Sequence, residues 1–189
     1  MMKEIENIIE QVAEKYDWDY FIDGNTATLI RTDYFDDGYG LGGYCEIAIT
    51  LNVDERQRKY SIKITANGYT PEEIEQMMDS EIAKIASFDP FDTTPEETEY
   101  VLDILSKYVP ISEEQKRKII NKVMADEDVS EEFEEIFSQL PTDVVDEINL
   151  LVFLDMVKPA IDGESPSFYM LAYWEIIEEL TKLGFREES

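Results

Sequence analysis

Two runs of alternating residues constrain this chain most strongly. From Cys45 to Val53 the odd positions (Cys45, Ile47, Ile49, Leu51, Val53) are apolar, and Glu46, Ala48, Thr50 and Asn52 stand between them. From Lys59 to Ala66 the pattern repeats, with Tyr60, Ile62, Ile64 and Ala66 alternating with Lys59, Ser61, Lys63 and Thr65. Successive side chains of a strand point to opposite faces, so each run is a strand with one apolar face. Asp54–Arg58 is the turn between them. Upstream, Asp23-Gly24-Asn25 is a tight-turn signal between the strand segments Tyr20–Ile22 and Thr26–Thr32. Residues 2–16 carry Ile5, Ile8, Ile9, Val12, Ala13 and Tyr16 at helical spacing and form an amphipathic helix. An apolar sheet face has to be covered. The expected product is an α+β fold, an N-terminal helix plus a three- or four-stranded antiparallel meander, followed by a C-terminal all-helical half.

The pattern changes at Thr70. Thr70-Pro71-Glu72-Glu73 is a capping box with proline at the first helical position, opening a helix to about Ser87. Thr94-Pro95-Glu96-Glu97 repeats the signal for a helix to about Tyr108, and Ser112–Gln115 opens another to about Ala125. Ser130 starts a short acidic helix. Residues 142–157 are apolar around most of their middle, which predicts a central buried helix. Asp162-Gly163-Glu164-Ser165-Pro166 breaks the chain before a last helix over 167–183, which Gly184 ends. The expected division is an α+β domain at 1–88 and an acidic helical domain at 89–189, packed on the first or separate.

Composition decides among functions. The chain has 44 acids against 16 bases, a net charge of −28, no histidine and one cysteine. Without histidine, Ser-His-Asp, Cys-His and His-zinc chemistries are excluded within the chain. A lone cysteine forbids an internal disulfide and an all-cysteine metal site. The net charge opposes direct nucleic-acid binding and adsorption to an anionic membrane. The longest apolar stretch, Leu150–Leu154, is far shorter than the roughly 20 residues a bilayer span needs. The N-terminus lacks signal-peptide character, so a cytoplasmic location is expected. The acids are uneven: residues 1–70 are net −6 and residues 71–189 net −22.

Two segments stand out as candidate sites. Asp33, Tyr34, Phe35, Asp36, Asp37, Tyr39 and Tyr44 fall in or beside the glycine-rich stretch Asp33–Gly43, expected to be the loop of a hairpin. It fails as an EF-hand loop: with Gly38 sixth, the third position is Phe35 and the twelfth is Tyr44. It fails as a phosphate loop because no Lys-Ser/Thr follows and a strand comes next. Aromatics interleaved with carboxylates suit a surface that meets a basic groove. The second segment, 126–135, holds seven acids in ten residues: Asp126, Glu127, Asp128, Glu131, Glu132, Glu134 and Glu135. Duplex DNA carries one charge per ~1.7 Å of axis, a density a single helix face cannot match but several helices side by side could approximate. No catalytic residue, cofactor or metal ligand set emerges, and Cys45 is read as a structural core residue.

In size, acidity, lack of catalytic residues and mixed α/β build, the chain resembles the acidic nucleic-acid mimics of phages and mobile elements, the anti-CRISPR and antirestriction proteins. Those proteins share no motif, so no site residue carries over. The resemblance implies an inhibitor, not an enzyme, that occupies the basic nucleic-acid channel of a nuclease such as a CRISPR effector and blocks DNA or guide RNA. A net charge of −28 far exceeds the roughly 2–8 that solubility asks of a small domain, and a basic partner would offset the self-repulsion. An immunity protein against a nuclease toxin and an acidic secretion-type chaperone are the alternatives. Sequence does not set the oligomeric state.

Overall fold

A computed structural model describes residues 1–163 and 167–189; the centre of the expected chain break, Glu164–Pro166, lies outside the described residues. The element order is α1 (Lys3–Tyr16), β1 (Asp19–Asp23), β2 (Thr26–Asp36), β3 (Gly42–Asp54), β4 (Lys59–Ala66), α2 (Pro71–Met78), α3 (Glu81–Ala86), α4 (Pro95–Leu105), α5 (Glu113–Met124), α6 (Ser130–Phe137), α7 (Thr142–Ile161), α8 (Phe168–Lys182) and β5 (Arg186–Glu187). The fold is α+β, with a helix, an antiparallel meander and then mostly helices.

The chain divides into two compact units, residues 1–75 with 153–189, and residues 76–152. The sequence division at 88/89 differs from this one. The last helix belongs with the sheet: Lys15 and Tyr16 of α1 both donate to the Glu175 carboxylate of α8, at 2.7 and 2.6 Å. The chain also returns to the sheet at its end, where β5 pairs parallel with Lys59 and Tyr60 of β4. A two-residue strand has no periodicity to read, so nothing in the sequence signals it.

In the first unit the sheet order is β1-β2-β3-β4-β5. A two-residue turn, with Gly24 at φ +58°, joins β1 to β2. Ala27, Leu29, Ile47, Ile49, Leu51, Ile62 and Ile64 line one face and are buried with Ile5, Ile9 and Val12 of α1 and Ile176 and Leu180 of α8. In the second unit Leu102, Leu105, Ile119, Phe133 and Ile136 centre a separate core. Phe133 meets Phe88 at 4.6 Å and Phe137 at 5.9 Å between ring centroids.

The capping signals are realised as hydrogen bonds. Thr70 and Glu73 cap reciprocally, at 2.8 and 3.2 Å, and Ser112 and Gln115 do the same at 2.9 and 3.1 Å. Two expected helices come out differently. The helix expected over 71–87 is broken after Met78, because the Ser80 hydroxyl accepts from Ala83 N–H and caps a new helix, α3. The helix expected at the centre, α7, is buried along Val144, Leu151, Leu154, Val157 and Ile161, one helical stripe, while Leu150, Val152 and Phe153 are half-buried.

Candidate protein-interaction surfaces

The expected glycine-rich loop is mostly strand. β2 runs to Asp36 and β3 starts at Gly42, with Asp33 paired to Cys45, Tyr34 to Tyr44, Phe35 to Gly43 and Asp36 to Gly42. Only residues 37–41 turn. Asp36 Oδ1 accepts from Gly38 N–H at 2.7 Å, and Asp37 Oδ1 accepts from the N–H groups of Tyr39 and Leu41 at 2.8 and 3.1 Å. The ladder demands glycine at its last pair: a Cβ on Gly42 would lie 2.7 Å from the Phe35 carbonyl oxygen. β4 pairs with β3 only from Ile47 onward, so Gly42–Glu46 and Asp33–Asp36 form a two-stranded ribbon past the end of β4. Asn67 closes the ladder there, donating its N–H to the Glu46 carbonyl and accepting Glu46 N–H on its side chain.

Strand parity separates the candidate residues. Asp33 and Phe35 share the helix-covered face with Leu29 and Cys45; Tyr34 and Asp36 share the other face with Tyr44. Asp33, expected to face a partner, is held internally. Its Oδ2 accepts from Arg31 Nε and from Tyr169 Oη, both at 2.7 Å, and the Arg31 guanidinium lies 4.5 Å from the Phe168 ring centroid. Burial, with the Asp33 carboxylate beside it, pushes the Tyr169 phenol well above the usual tyrosine range. Asp33 therefore serves to seat α8 on the sheet. The register offers a signal that pattern reading missed: Arg31 and Asp33, on the apolar face and two residues apart, neutralise each other.

The other face is open. Tyr34 is 57% exposed, Tyr44 74% and Tyr39 96%. Tyr34 and Tyr44 pack edge to face at 5.3 Å, and the Asp36 carboxylate next to Tyr34 holds its phenol protonated to higher pH than usual. Among the described residues Asp36, Asp37 and Glu46 form no ion pair, although the hydrogen bonds to the tip already use part of Asp36 and Asp37.

In the second unit the seven acids of 126–135 also divide. Glu132 is paired with Lys122 of α5, which lowers its carboxyl below the ordinary value and raises the lysine. Asp128 accepts from Ser130 N–H at 2.8 Å, a bond that lowers its carboxyl and ties down the start of α6. Asp126, Glu127, Glu131, Glu134 and Glu135 are exposed and form no ion pair among the described residues. Val129, Phe133 and Ile136 take the buried side of α6, so Glu131, Glu134 and Glu135, at i, i+3 and i+4, share its outer side. Three carboxylates over about 6 Å of helix stand about 3 Å apart along the axis, near the ~3.4 Å charge spacing of one DNA strand and about half the density of the duplex. The match lasts about one turn. On α5, whose Lys122 reaches Glu132, Arg117 and Lys118 are exposed without an ion pair among the described residues, so the flanking surface is cationic, not a further acidic strip.

Cys45 is fully buried and its thiol is pushed up to about 11 by burial, the state of an inert core residue. Among the described residues no group of three or more acidic or cysteine side chains is placed to hold a metal ion, and no helix is long and apolar enough to cross a membrane. A cleft of about 350 Å³ in the first unit mixes Lys63 and Lys158 with Glu72 and Glu75, beside Tyr173 and Trp174. No protein-family model, curated protein or solved structure matches the chain.

Proposed function

We propose that the chain is an acidic inhibitor acting in the cytoplasm, which binds the basic nucleic-acid channel of a nuclease and excludes DNA or guide RNA, in the manner of anti-CRISPR and antirestriction mimics. The observation that carries this reading is the group of five exposed, unpaired carboxylates at Asp126, Glu127, Glu131, Glu134 and Glu135. Their mutual repulsion costs folding energy, and Lys122, already paired with Glu132, offsets it only in part, near Glu127 and Glu131. A ring of lysines and arginines on a partner supplies the missing countercharge, speeds encounter and favours a positively lined channel over other surfaces. The ribbon, in the other unit, offers a surface of its own with exposed aromatic and acidic side chains. In this reading the partner is a basic protein, and the chain itself performs no catalysis.

The test is capture with the immobilised chain from a lysate rich in nucleases, followed by displacement of labelled duplex DNA from the captured enzyme. Affinity falls steeply with added salt, and DNA and the chain exclude one another. Affinity that stays constant from low to several-hundred-millimolar salt refutes charge mimicry. Binding that persists with DNA still bound to the enzyme favours the immunity-protein alternative, which docks away from the cleft.

A further inference from the structure

The ribbon's open face has a counterpart within the same unit. On the covered face, Arg31 is held between an aromatic ring and a carboxylate: its guanidinium lies 4.5 Å from the Phe168 centroid and its Nε is 2.7 Å from Asp33. On the open face, one residue out of phase along the same strand, stand the edge-to-face rings of Tyr34 and Tyr44, with Asp36 beyond them and Glu46 beside Tyr44 on β3. The ring faces and the carboxylates are present there, but the cation is not: no lysine or arginine pairs with Asp36 or Glu46 among the described residues. The bases of the sheet's open face lie elsewhere: Lys59 and Lys63 sit opposite Asp54 and Thr50, far along β3 from Tyr44, and Arg186 of β5 is in register with Lys59.

Resting on the reading of a basic partner, we infer that this face of the β2–β3 ribbon is the docking site for an arginine-bearing segment of that partner, with a guanidinium stacked on Tyr34 or Tyr44 and bridged to Asp36 or Glu46. Charge complementarity chooses a cationic occupant, and the rings choose arginine. A guanidinium is planar, weakly hydrated and forked, so it stacks on an aromatic face and bonds a carboxylate at once. A lysine ammonium is compact and strongly hydrated, and gains less from a ring. The site is built on paired strands and a hydrogen-bonded tip, so little order has to be created on binding. The acids of 126–135 recognise charge in general; the ribbon would read which cation.

The experiment measures binding of a fluorescein-labelled Arg-Gly repeat peptide and its Lys-Gly counterpart to the full chain by anisotropy at fixed ionic strength. The parent binds the arginine peptide about three- to tenfold more tightly than the lysine peptide, the range exposed and partly desolvated cation–π contacts give. Tyr34→Ser with Tyr44→Ser leaves the net charge unchanged and brings the arginine peptide down to the lysine level. Tyr44→Phe keeps the ring and keeps the preference, which separates loss of stacking from loss of the fold. Glu131→Gln with Glu134→Gln and Glu135→Gln weakens both peptides alike and leaves their ratio intact. Equal affinity of the parent for the two peptides overturns the inference, as does a preference that survives the double serine change. A dimer in sedimentation that Tyr44→Ser dissociates also overturns it, by assigning the face to a second copy. An arginine preference that behaves as stated, in a chain that fails to displace DNA from its captured partner, refutes the inhibitor reading alone.

Discussion

Replacing Glu131, Glu134 and Glu135 together by glutamine separates carboxylates that hold the protein together from carboxylates that face outward. The change takes the net charge from −28 to −25 by removing three acids. Two effects oppose each other in the folded chain. Glu131 lies in the first turn of α6, where an anion meets the positive end of the helix dipole, so its loss costs about 0.3–1 kcal/mol. Glu131 also faces Glu134 and Glu135 at i+3 and i+4, and relief of each like-charge pair returns about 0.2–0.5 kcal/mol. None of the three has an ion pair among the described residues to lose. The balance lies within about 0.5 kcal/mol of zero, a shift of at most about 2 °C in a chain of this size. Glu132→Gln, one residue away, breaks the pair with Lys122 and lowers the midpoint, although it too removes one negative charge. Far-UV circular dichroism in urea and on heating measures both variants, and the DNA-displacement assay tests the proposed inhibition in parallel. The triple variant keeps its stability and loses displacement; Glu132→Gln loses stability first. A triple variant destabilised by more than about 1.5 kcal/mol, well outside the usual range for surface changes, would falsify the assignment of these carboxylates to the outer surface.

Phe133→Ala empties the centre of the second core, where the ring is fully buried against Phe88 and Phe137; it costs about 3–5 kcal/mol and lowers Tm by about 6–20 °C in a thermal melt. Cys45, buried and with its thiol pushed up to about 11, stays unmodified by a thiol reagent at pH 8 in the native protein and reacts fully in guanidinium; fast native labelling would show that β3 opens there. Glu132, Glu175 and Asp128 have carboxyls held below their ordinary values by Lys122, by Lys15 with Tyr16, and by Ser130. Their contribution is present above the ordinary carboxylate range of about 4 and is lost as pH falls through the lower folded values, so Glu132→Gln has a smaller acid-induced loss than the parent in pH-dependent urea titrations. Asp33→Ala and Tyr169→Phe are coupled by their 2.7 Å hydrogen bond: a double-mutant cycle gives about 1 kcal/mol, with partial exposure reducing the value for a fully buried charged bond, and additive losses would deny the bond.

Local chemistry was legible in the sequence and long-range pairing was not. The capping boxes at Thr70 and Ser112 could be read because donor, acceptor and helix start lie within four residues. The strands at 45–53 and 60–66 could be read because one face is uniformly apolar. The break between α2 and α3 escaped because good helix formers surround Ser80, and only its side-chain bond to Ala83 marks the new start. The exposed side of α7 escaped because an apolar run does not state how much of its circumference finds neighbours. In the acidic segment, composition located the charges but not their employment: Lys122, ten residues before Glu132 and on another helix, decides that Glu132 is structural while Glu131 is not.

The β2–β3 ribbon shows how pairing changes the meaning of a composition. Read as a loop, Asp33, Tyr34, Phe35 and Asp36 form one mixed acidic and aromatic surface. Read as a strand, they alternate, and the same four residues make two sites. Asp33 and Phe35 turn inward, where Asp33 meets Arg31 and Tyr169 and Phe35 lies 6.3 Å from the Tyr169 ring. Tyr34 and Asp36 turn outward beside Tyr44. The alternation hid the strand, because Arg31 and Asp33 interrupt what would otherwise be an apolar inner row from Ala27 to Phe35. That interruption also fixes the register. A slip of one residue would put Arg31 and Asp33 in solvent and bury Tyr34 and Asp36 under α8, leaving the Asp36 carboxylate without a cation. The internal Arg–Asp pair thus does more than fasten α8: it determines which carboxylates of an acidic strand are left exposed on the outer face.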